Sequence, residues 1–144
     1  MAHPIARIRF GRGLVAAVFM AGAVFGATDS RLADAVMNGD KDAVKSLLAQ
    51  KVDLNAMQAD GSTALHWAVR QDDAGMVQTL LKAGANARAA TRYGVTPLYF
   101  AATNGDATVI EMLIAAGAEP NWANHAGETA LMTASRSGAP CLRR

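Results

Sequence analysis

A short motif recurs along the chain at a spacing of 33 residues, and this period constrains the fold more than any other feature. Gly61, Gly94 and Gly127 open the three copies, and each glycine is followed by a threonine two positions later and a leucine four positions later. A fixed period of this length is the signature of a stacked repeat protein. The sequence therefore predicts an all-α solenoid, in which each helix-turn-helix unit packs mainly against its neighbours.

Each unit is predicted to contain a tight turn, a first helix, a short link, a second helix and a loop. The turn glycine allows a positive φ, and Pro97 suits the first turn of a helix, where its missing N–H costs nothing. Apolar residues at helical spacing then predict the buried faces. The first helices are expected to bury Leu65, Ala68, Val69, Leu98, Ala101 and Ala102, and the second helices Met76, Val77, Leu80, Leu81, Val109, Ile110, Leu113 and Ile114.

Two hexapeptides make the assignment more specific. Residues 63–68 read Thr-Ala-Leu-His-Trp-Ala and residues 96–101 read Thr-Pro-Leu-Tyr-Phe-Ala. Both resemble the Thr-Pro-Leu-His-x-Ala pattern of ankyrin repeats, and the resemblance covers roughly residues 30–138. It implies an ankyrin-repeat solenoid with β-turn loops that binds another protein through its turn tips and first-helix face, without catalytic apparatus of its own.

Two departures from the period fall at helix ends. Lys51 stands where Gly84 and Gly117 close later helices, and Asp72 replaces the glycine found at the equivalent position elsewhere in the chain. Because glycine is the usual residue at a left-handed helix end, we expect the first of these ends to be weaker.

The chain divides into five predicted segments: a signal peptide at 1–27, an N-terminal capping repeat at 28–57, full repeats at 58–90 and 91–123, and a partial repeat with a divergent tail at 124–144. The tail offers no second helix after the last first helix, and Pro140 would break one there. We therefore expect a truncated or frame-altered copy of a longer array, so that the chain would be the N-terminal fragment of a longer ankyrin-repeat protein.

The N-terminal segment has the order of a secretory signal. Arg7, Arg9 and Arg12 precede an uncharged run from residue 13 to residue 28, which contains an apolar core followed by small residues. The run is shorter than the roughly 20 apolar residues of a membrane-spanning helix. The sequence thus predicts export to a periplasmic or extracellular space, with an uncleaved membrane anchor as the alternative.

The charge distribution argues against nucleic acid as a partner. The formal net charge is +2, but five of the 14 Lys/Arg residues lie near the two ends of the chain. Between residues 28 and 142, nine Lys/Arg stand against twelve Asp/Glu, and no basic stripe is formed. Cys141 is the only cysteine and the three histidines are scattered, so no metal site, cofactor or small-molecule substrate is predicted.

Side chains on the turns and first helices fall into two groups. His66 is interpreted as a structural histidine that binds neighbouring turn backbone, and Trp67 and Phe100 as packing residues. Other positions are not dictated by packing and are candidates for contact with a protein partner. Tyr93 and Arg92, flanked by Arg70, are the predicted anchor, since Tyr and Arg are enriched at binding hot spots. The candidates are Arg70, Gln71, Arg92, Tyr93, Val95, Thr103, Asn104, His125, Glu128 and Arg136.

Three other functions stay open at this stage. The candidate residues could form a plain solvated face without a partner. The chain could also be a membrane-anchored scaffold, or an accessory to an enzyme whose catalytic residues lie elsewhere.

Overall fold

A computed structural model describes residues 29–138 of the chain. The predicted signal peptide at 1–27 and most of the divergent tail, including Cys141, lie outside the described residues. Of the helices described, none combines the length and hydropathy needed to cross a bilayer. The helices are α1 (Arg31–Met37), α2 (Lys41–Ala49), α3 (Ala64–Arg70), α4 (Ala74–Ala83), α5 (Pro97–Asn104), α6 (Ala107–Ala115) and α7 (Ala130–Ser137).

The helices pack in two rows. First helices α1, α3, α5 and α7 each contact the next member of their row, and α2, α4 and α6 pack against the first helix of their own unit. In the part of the chain described, the only β-type pairing is an isolated bridge between Ala123 and Thr129. The predicted all-α stack of helix pairs is therefore confirmed.

The core lies between the two rows and follows the period. Leu32, Leu65 and Leu98 occupy equivalent positions and are at most 1% exposed. All six residues predicted to be buried on the first helices are buried, as are Val77, Leu80, Val109, Ile110 and Leu113 on the second helices. Burying one such leucine, isoleucine or valine side chain contributes roughly 1.5–3 kcal/mol. The shared apolar surface of neighbouring units is thus what holds the stack together.

The expectation for Ile114 was wrong, because its side chain is 39% exposed. Its counterpart Leu81 is half-buried against the core on α4, which α6 contacts from the next unit. No later helix of the second row packs on α6 within the described range. Met76 is likewise only half-buried.

The turns are bonded to one another in register. The backbone N–H of Arg92 donates to the carbonyl of Asp60 at 3.0 Å, and that of His125 donates to the carbonyl of Tyr93 at 3.0 Å. Gly61 has φ +85°, and a Cβ atom there would lie 2.9 Å from the backbone nitrogen of Arg92. Glycine at this turn therefore serves both the positive φ and the close approach of the next turn.

Both departures from the glycine pattern keep the backbone of the repeat. Lys51 has φ +53° and Asp72 has φ +58°, so each takes the left-handed conformation that glycine adopts at the equivalent position of another unit. For a residue with a Cβ atom this conformation costs roughly 1–2 kcal/mol. Lys51 at the end of a second helix and Asp72 at the end of a first helix thus take the backbone conformation of the glycines that they replace.

Candidate interaction surface

Nine of the ten candidate residues lie on the turns and first helices, which we call the inner surface, and Gln71 directly follows α3. The inner surface consists of the turns at 58–62, 91–95 and 124–128, the exposed side chains of α1, α3, α5 and α7, and Asp29, which pairs with Arg31. The outer surface consists of α2, α4 and α6 with the links and loops that flank them.

Tyr93 and Arg92 form the tip of the middle turn. The Tyr93 side chain is 70% exposed, and Arg92 is also exposed. Their backbones are held in place, since the Thr91 hydroxyl accepts hydrogen bonds from the N–H groups of Tyr93 and Val95 at 3.3 and 3.2 Å. The turn therefore presents two large side chains on a fixed backbone.

Arg70 lies on the inner surface over an aromatic ring. Its guanidinium carbon is 5.1 Å from the centroid of the Trp67 ring, within cation–π range. The indole N–H of Trp67 donates to Oε1 of Gln58 at 2.6 Å, and Nε2 of Gln58 donates to Oδ1 of Asp34 at 2.5 Å. This chain of bonds fixes the ring and so positions Arg70, a role for Gln58 that the sequence analysis missed.

Glu128 and Arg136 are brought together at the last turn. Arg136 donates to Oε1 of Glu128 at 3.3 Å, and the Tyr99 hydroxyl donates to Oε2 at 2.9 Å. The hydrogen bond from Tyr99, followed by that from Arg136, lowers the pKa of Glu128 below its ordinary value. His125 is exposed at the tip of this turn.

Gln71 and Asn104 have a structural role that the sequence analysis did not foresee. Nε2 of Gln71 donates to the carbonyls of Val36 and Met37 at 3.0 and 2.8 Å, and Nδ2 of Asn104 donates to that of Val69 at 2.9 Å. Each amide thereby adds a hydrogen bond at the end of the preceding first helix, where the carbonyls of Val36 and Val69 also accept the backbone N–H groups of Gly39 and Asp72. Partner contact through these two residues stays a prediction.

The last unit makes the same bond with a hydroxyl. Ser137, at the period-equivalent position, donates from Oγ to the carbonyl of Ala102 at 2.7 Å. Two candidates remain. The hydroxyl of Thr103 donates to the carbonyl of Tyr99 at 2.9 Å, and Val95 is half-buried.

The structural interpretation of His66 is confirmed. Its Nδ1 accepts hydrogen bonds from the backbone N–H of Thr63 at 3.1 Å and the Thr63 hydroxyl at 2.9 Å, so Nε2 carries the proton and donates to the carbonyl of Val95 at 3.1 Å. Burial lowers the pKa of His66 and keeps the ring neutral. With both ring nitrogens engaged, the imidazole has no lone pair left to act as a base.

No group of three or more metal-ligating side chains comes together between residues 29 and 138. The inner surface instead differs from the outer surface in the types of its charged residues. It carries four arginines and four carboxylates, whereas the outer surface carries five cations and eight carboxylates, a net charge of −3.

Lysine and aromatic residues are also segregated. All four lysines (Lys41, Lys45, Lys51 and Lys82) lie on the outer surface. Four of the five aromatic residues described belong to the turns and first helices of the inner surface: Tyr93 is exposed, whereas Trp67, Tyr99 and Phe100 are half-buried. Trp122 is in the loop before the last turn.

Comparison with known proteins agrees with the geometry. The sequence model of a family described as ankyrin repeats (3 copies) matches residues 32–124, well over half of the chain. Among curated proteins, none matches this sequence. The stacked helix pairs, the bonded turns and this family match together show that the chain belongs to the ankyrin-repeat family.

Proposed function

We propose that this protein binds another protein through its inner surface and is not itself an enzyme. Ankyrin repeats are generally protein–protein interaction modules and are typically non-catalytic. The observation that carries the proposal is the segregation of residue types: arginine and aromatic side chains gather on the inner surface, and lysine is confined to the outer surface. Interfaces are enriched in Tyr, Trp, Phe and Arg and depleted in Lys.

The mechanism is recognition by a surface that is ordered before the partner arrives. Neighbouring turns are linked by backbone hydrogen bonds, and no buried side-chain nitrogen or oxygen among the described residues lacks a hydrogen-bond partner. A preorganised surface loses little conformational entropy on binding. Tyr93 and Arg92 at the middle turn, with Arg70 on α3, form the proposed anchor.

The test is capture of the partner from native cells with the intact chain, followed by calorimetric titration of the purified pair. The Tyr93→Ala/Arg92→Ala variant is expected to bind at least about tenfold more weakly, as hot-spot truncation costs more than about 1.4 kcal/mol. The matched control, Thr79→Ala/Lys82→Ala on the outer face of α4, should bind as the wild type does. Equal affinities for all three proteins would contradict the proposal.

We also propose that the protein acts outside the cytoplasm. This rests on the arginines at 7, 9 and 12 and the apolar run behind them, which have the order of a signal peptide. N-terminal sequencing of the mature protein tests it: export with cleavage predicts a new N-terminus between residues 21 and 30. An intact Met1 in the membrane fraction would instead support an uncleaved anchor.

A further inference from the structure

We propose that the segment recognised by the inner surface is an acidic peptide whose carboxylates pair with Arg70 and Arg92. The inference rests on the proposed function and specifies the chemistry of the partner. Some charged groups of the inner surface are already paired within the molecule, and two guanidinium groups are not paired with any described residue.

The first open group is the guanidinium of Arg70. Its guanidinium carbon lies over the Trp67 ring, 5.1 Å from the centroid, and its side chain donates no hydrogen bond and forms no ion pair with any residue in the range 29–138. The N–H donors of a guanidinium match the two oxygens of a carboxylate. Trp67, held by Gln58, therefore presents Arg70 for bidentate pairing from solvent.

The second open group is the guanidinium of Arg92. The backbone N–H of this residue is bonded to Asp60, but among the residues described its side chain takes part in no ion pair or hydrogen bond. Tyr93, the next residue along the turn, has a side chain that is 70% exposed. A carboxylate that reaches Arg92 can thus be accompanied by an apolar or aromatic neighbour that packs on Tyr93.

The carboxylates of the inner surface are, by contrast, already hydrogen-bonded within the molecule. Asp29 pairs with Arg31, and Asp34 accepts from Ser30 and Gln58. Asp60 accepts from the backbone N–H and hydroxyl of Ser62, both at 2.8 Å, and Glu128 accepts from Tyr99 and Arg136. A basic partner would have to displace these bonds. An acidic partner instead meets Arg70 and Arg92, two cations that are paired with no carboxylate among the described residues.

The charge of the outer surface also favours binding of an acidic segment at the inner surface. Its net charge of −3 repels an acidic segment from the other faces of the molecule. Like-charge repulsion suppresses wrong modes of association, and complementary charge directs the encounter. Since exposed charges interact over about 8 Å at physiological ionic strength, the binding should weaken as sodium chloride is added.

The experiment selects a displayed library of short random peptides on the intact folded chain. Enriched peptides are expected to contain more Asp and Glu than the input library. Synthetic copies should bind the Arg70→Gln/Arg92→Gln variant at least about tenfold more weakly, since charge-assisted pairs to two arginines are lost. The matched control is Lys45→Gln/Lys82→Gln, which removes the same charge from the outer surface and should leave affinity within about twofold.

The outcomes separate this inference from the proposed function. Enriched peptides that are neutral or basic, yet lose affinity in Tyr93→Ala, would overturn the acidic partner and leave protein binding at the inner surface intact. Peptides insensitive to both Tyr93→Ala and the double arginine variant, or no enriched peptide at all, would count against both. Circular dichroism of each variant excludes loss of folding as the cause.

Discussion

The second and third repeats each form a hydrogen bond to the following turn from the same position of the repeat, but with different chemical groups. His66 in the second repeat donates from Nε2 to the backbone carbonyl of Val95, and Tyr99 in the third repeat donates from its hydroxyl to the side chain of Glu128. Val95 and Glu128 are themselves equivalent, 33 residues apart. The hydrogen bond between neighbouring units therefore recurs with the period, whereas its donor and acceptor groups differ.

The surroundings explain which chemistry each repeat uses. His66 is 2% exposed, and a neutral backbone carbonyl can accept its hydrogen bond in an apolar environment. Tyr99 is only half-buried, and its acceptor is a charged carboxylate that stays near solvent and pairs with Arg136. Burial of a charge is far more costly than burial of a paired neutral group, so the carboxylate link stays near solvent. Because a buried polar group that loses its partner cannot bond to water instead, the His66 link should contribute more to stability.

The largest effect is expected from His66→Ala. The change opens a cavity, removes one of the two donors to the Val95 carbonyl (the Thr91 N–H remains) and leaves the Thr63 N–H without its acceptor. The free energy of unfolding should therefore fall by about 2–4 kcal/mol. Tyr99→Phe, which removes one solvent-accessible hydrogen bond, should cause a clearly smaller loss. Urea unfolding followed by circular dichroism measures both, and equal losses would remove the distinction between the two repeats.

The turn glycines should rank next. Gly61→Ala is expected to lower the free energy of unfolding by about 2–3 kcal/mol, because a positive φ is combined with a Cβ atom 2.9 Å from a backbone nitrogen. At Gly94 one of the close atoms is Cδ2 of the His125 side chain, which can move.

The matched control is Gly127→Ala, where φ is +78° and the added Cβ meets no described atom within 4 Å. The loss there should be only about 1 kcal/mol. Equal losses at 61 and 127 would show that close packing between the turns contributes nothing.

A smaller effect should appear in the pH dependence of stability. Burial lowers the pKa of His66 in the folded state, and the nearby Asp60 carboxylate opposes this only in part. The unfolded state, with a pKa of about 6.5, then takes up a proton that the folded state does not. Stability is therefore complete above about pH 6.5 and falls as the pH drops below it, by up to about 1.4 kcal/mol per pH unit.

Urea unfolding at pH 7.5 and pH 5 tests this, with His66→Gln as the control. Asp60 and Asp73 have lowered pKa values, so their contributions are lost only at pH values below about 4. The wild type should be less stable at pH 5 than at pH 7.5. A loss of the same size in His66→Gln would assign the effect to other groups.

The smallest effect is expected at the helix end where the two repeats also differ. Asp72→Gly should raise the free energy of unfolding by about 0.5 kcal/mol, because relief of the left-handed strain exceeds the added entropy of the unfolded chain. The reciprocal change in the third repeat, Gly105→Asp, should lower it by a similar amount. If Asp72→Gly lowered the free energy of unfolding, or Gly105→Asp raised it, the two helix ends would not be equivalent.

Much of the fold could be predicted because its determinants recur within each unit. The glycine turns, the threonine before each first helix and the leucine rows lie close together in sequence, and the buried positions follow from helical spacing. Ile114 was misjudged for a non-local reason, since its burial depends on a neighbouring helix rather than on its own unit. The role of Gln58 was missed because its side chain bonds to Asp34 and Trp67, whereas the equivalent side chains of Thr91 and Asn124 bond within their own turns.

By itself, the sequence determined the repeat, its helix pairs and the structural nature of His66, since each follows from short-range pattern and from the spacing of 33 residues. Only the tertiary structure showed that the amides of Gln71 and Asn104 bond to the preceding helix while Arg70 and Arg92 keep their guanidinium groups open. These partners lie in other repeat units, 34 or 35 residues from the two amides. Which polar side chains bond inside the stack, and which bond to no other residue between 29 and 138, is decided when the units pack.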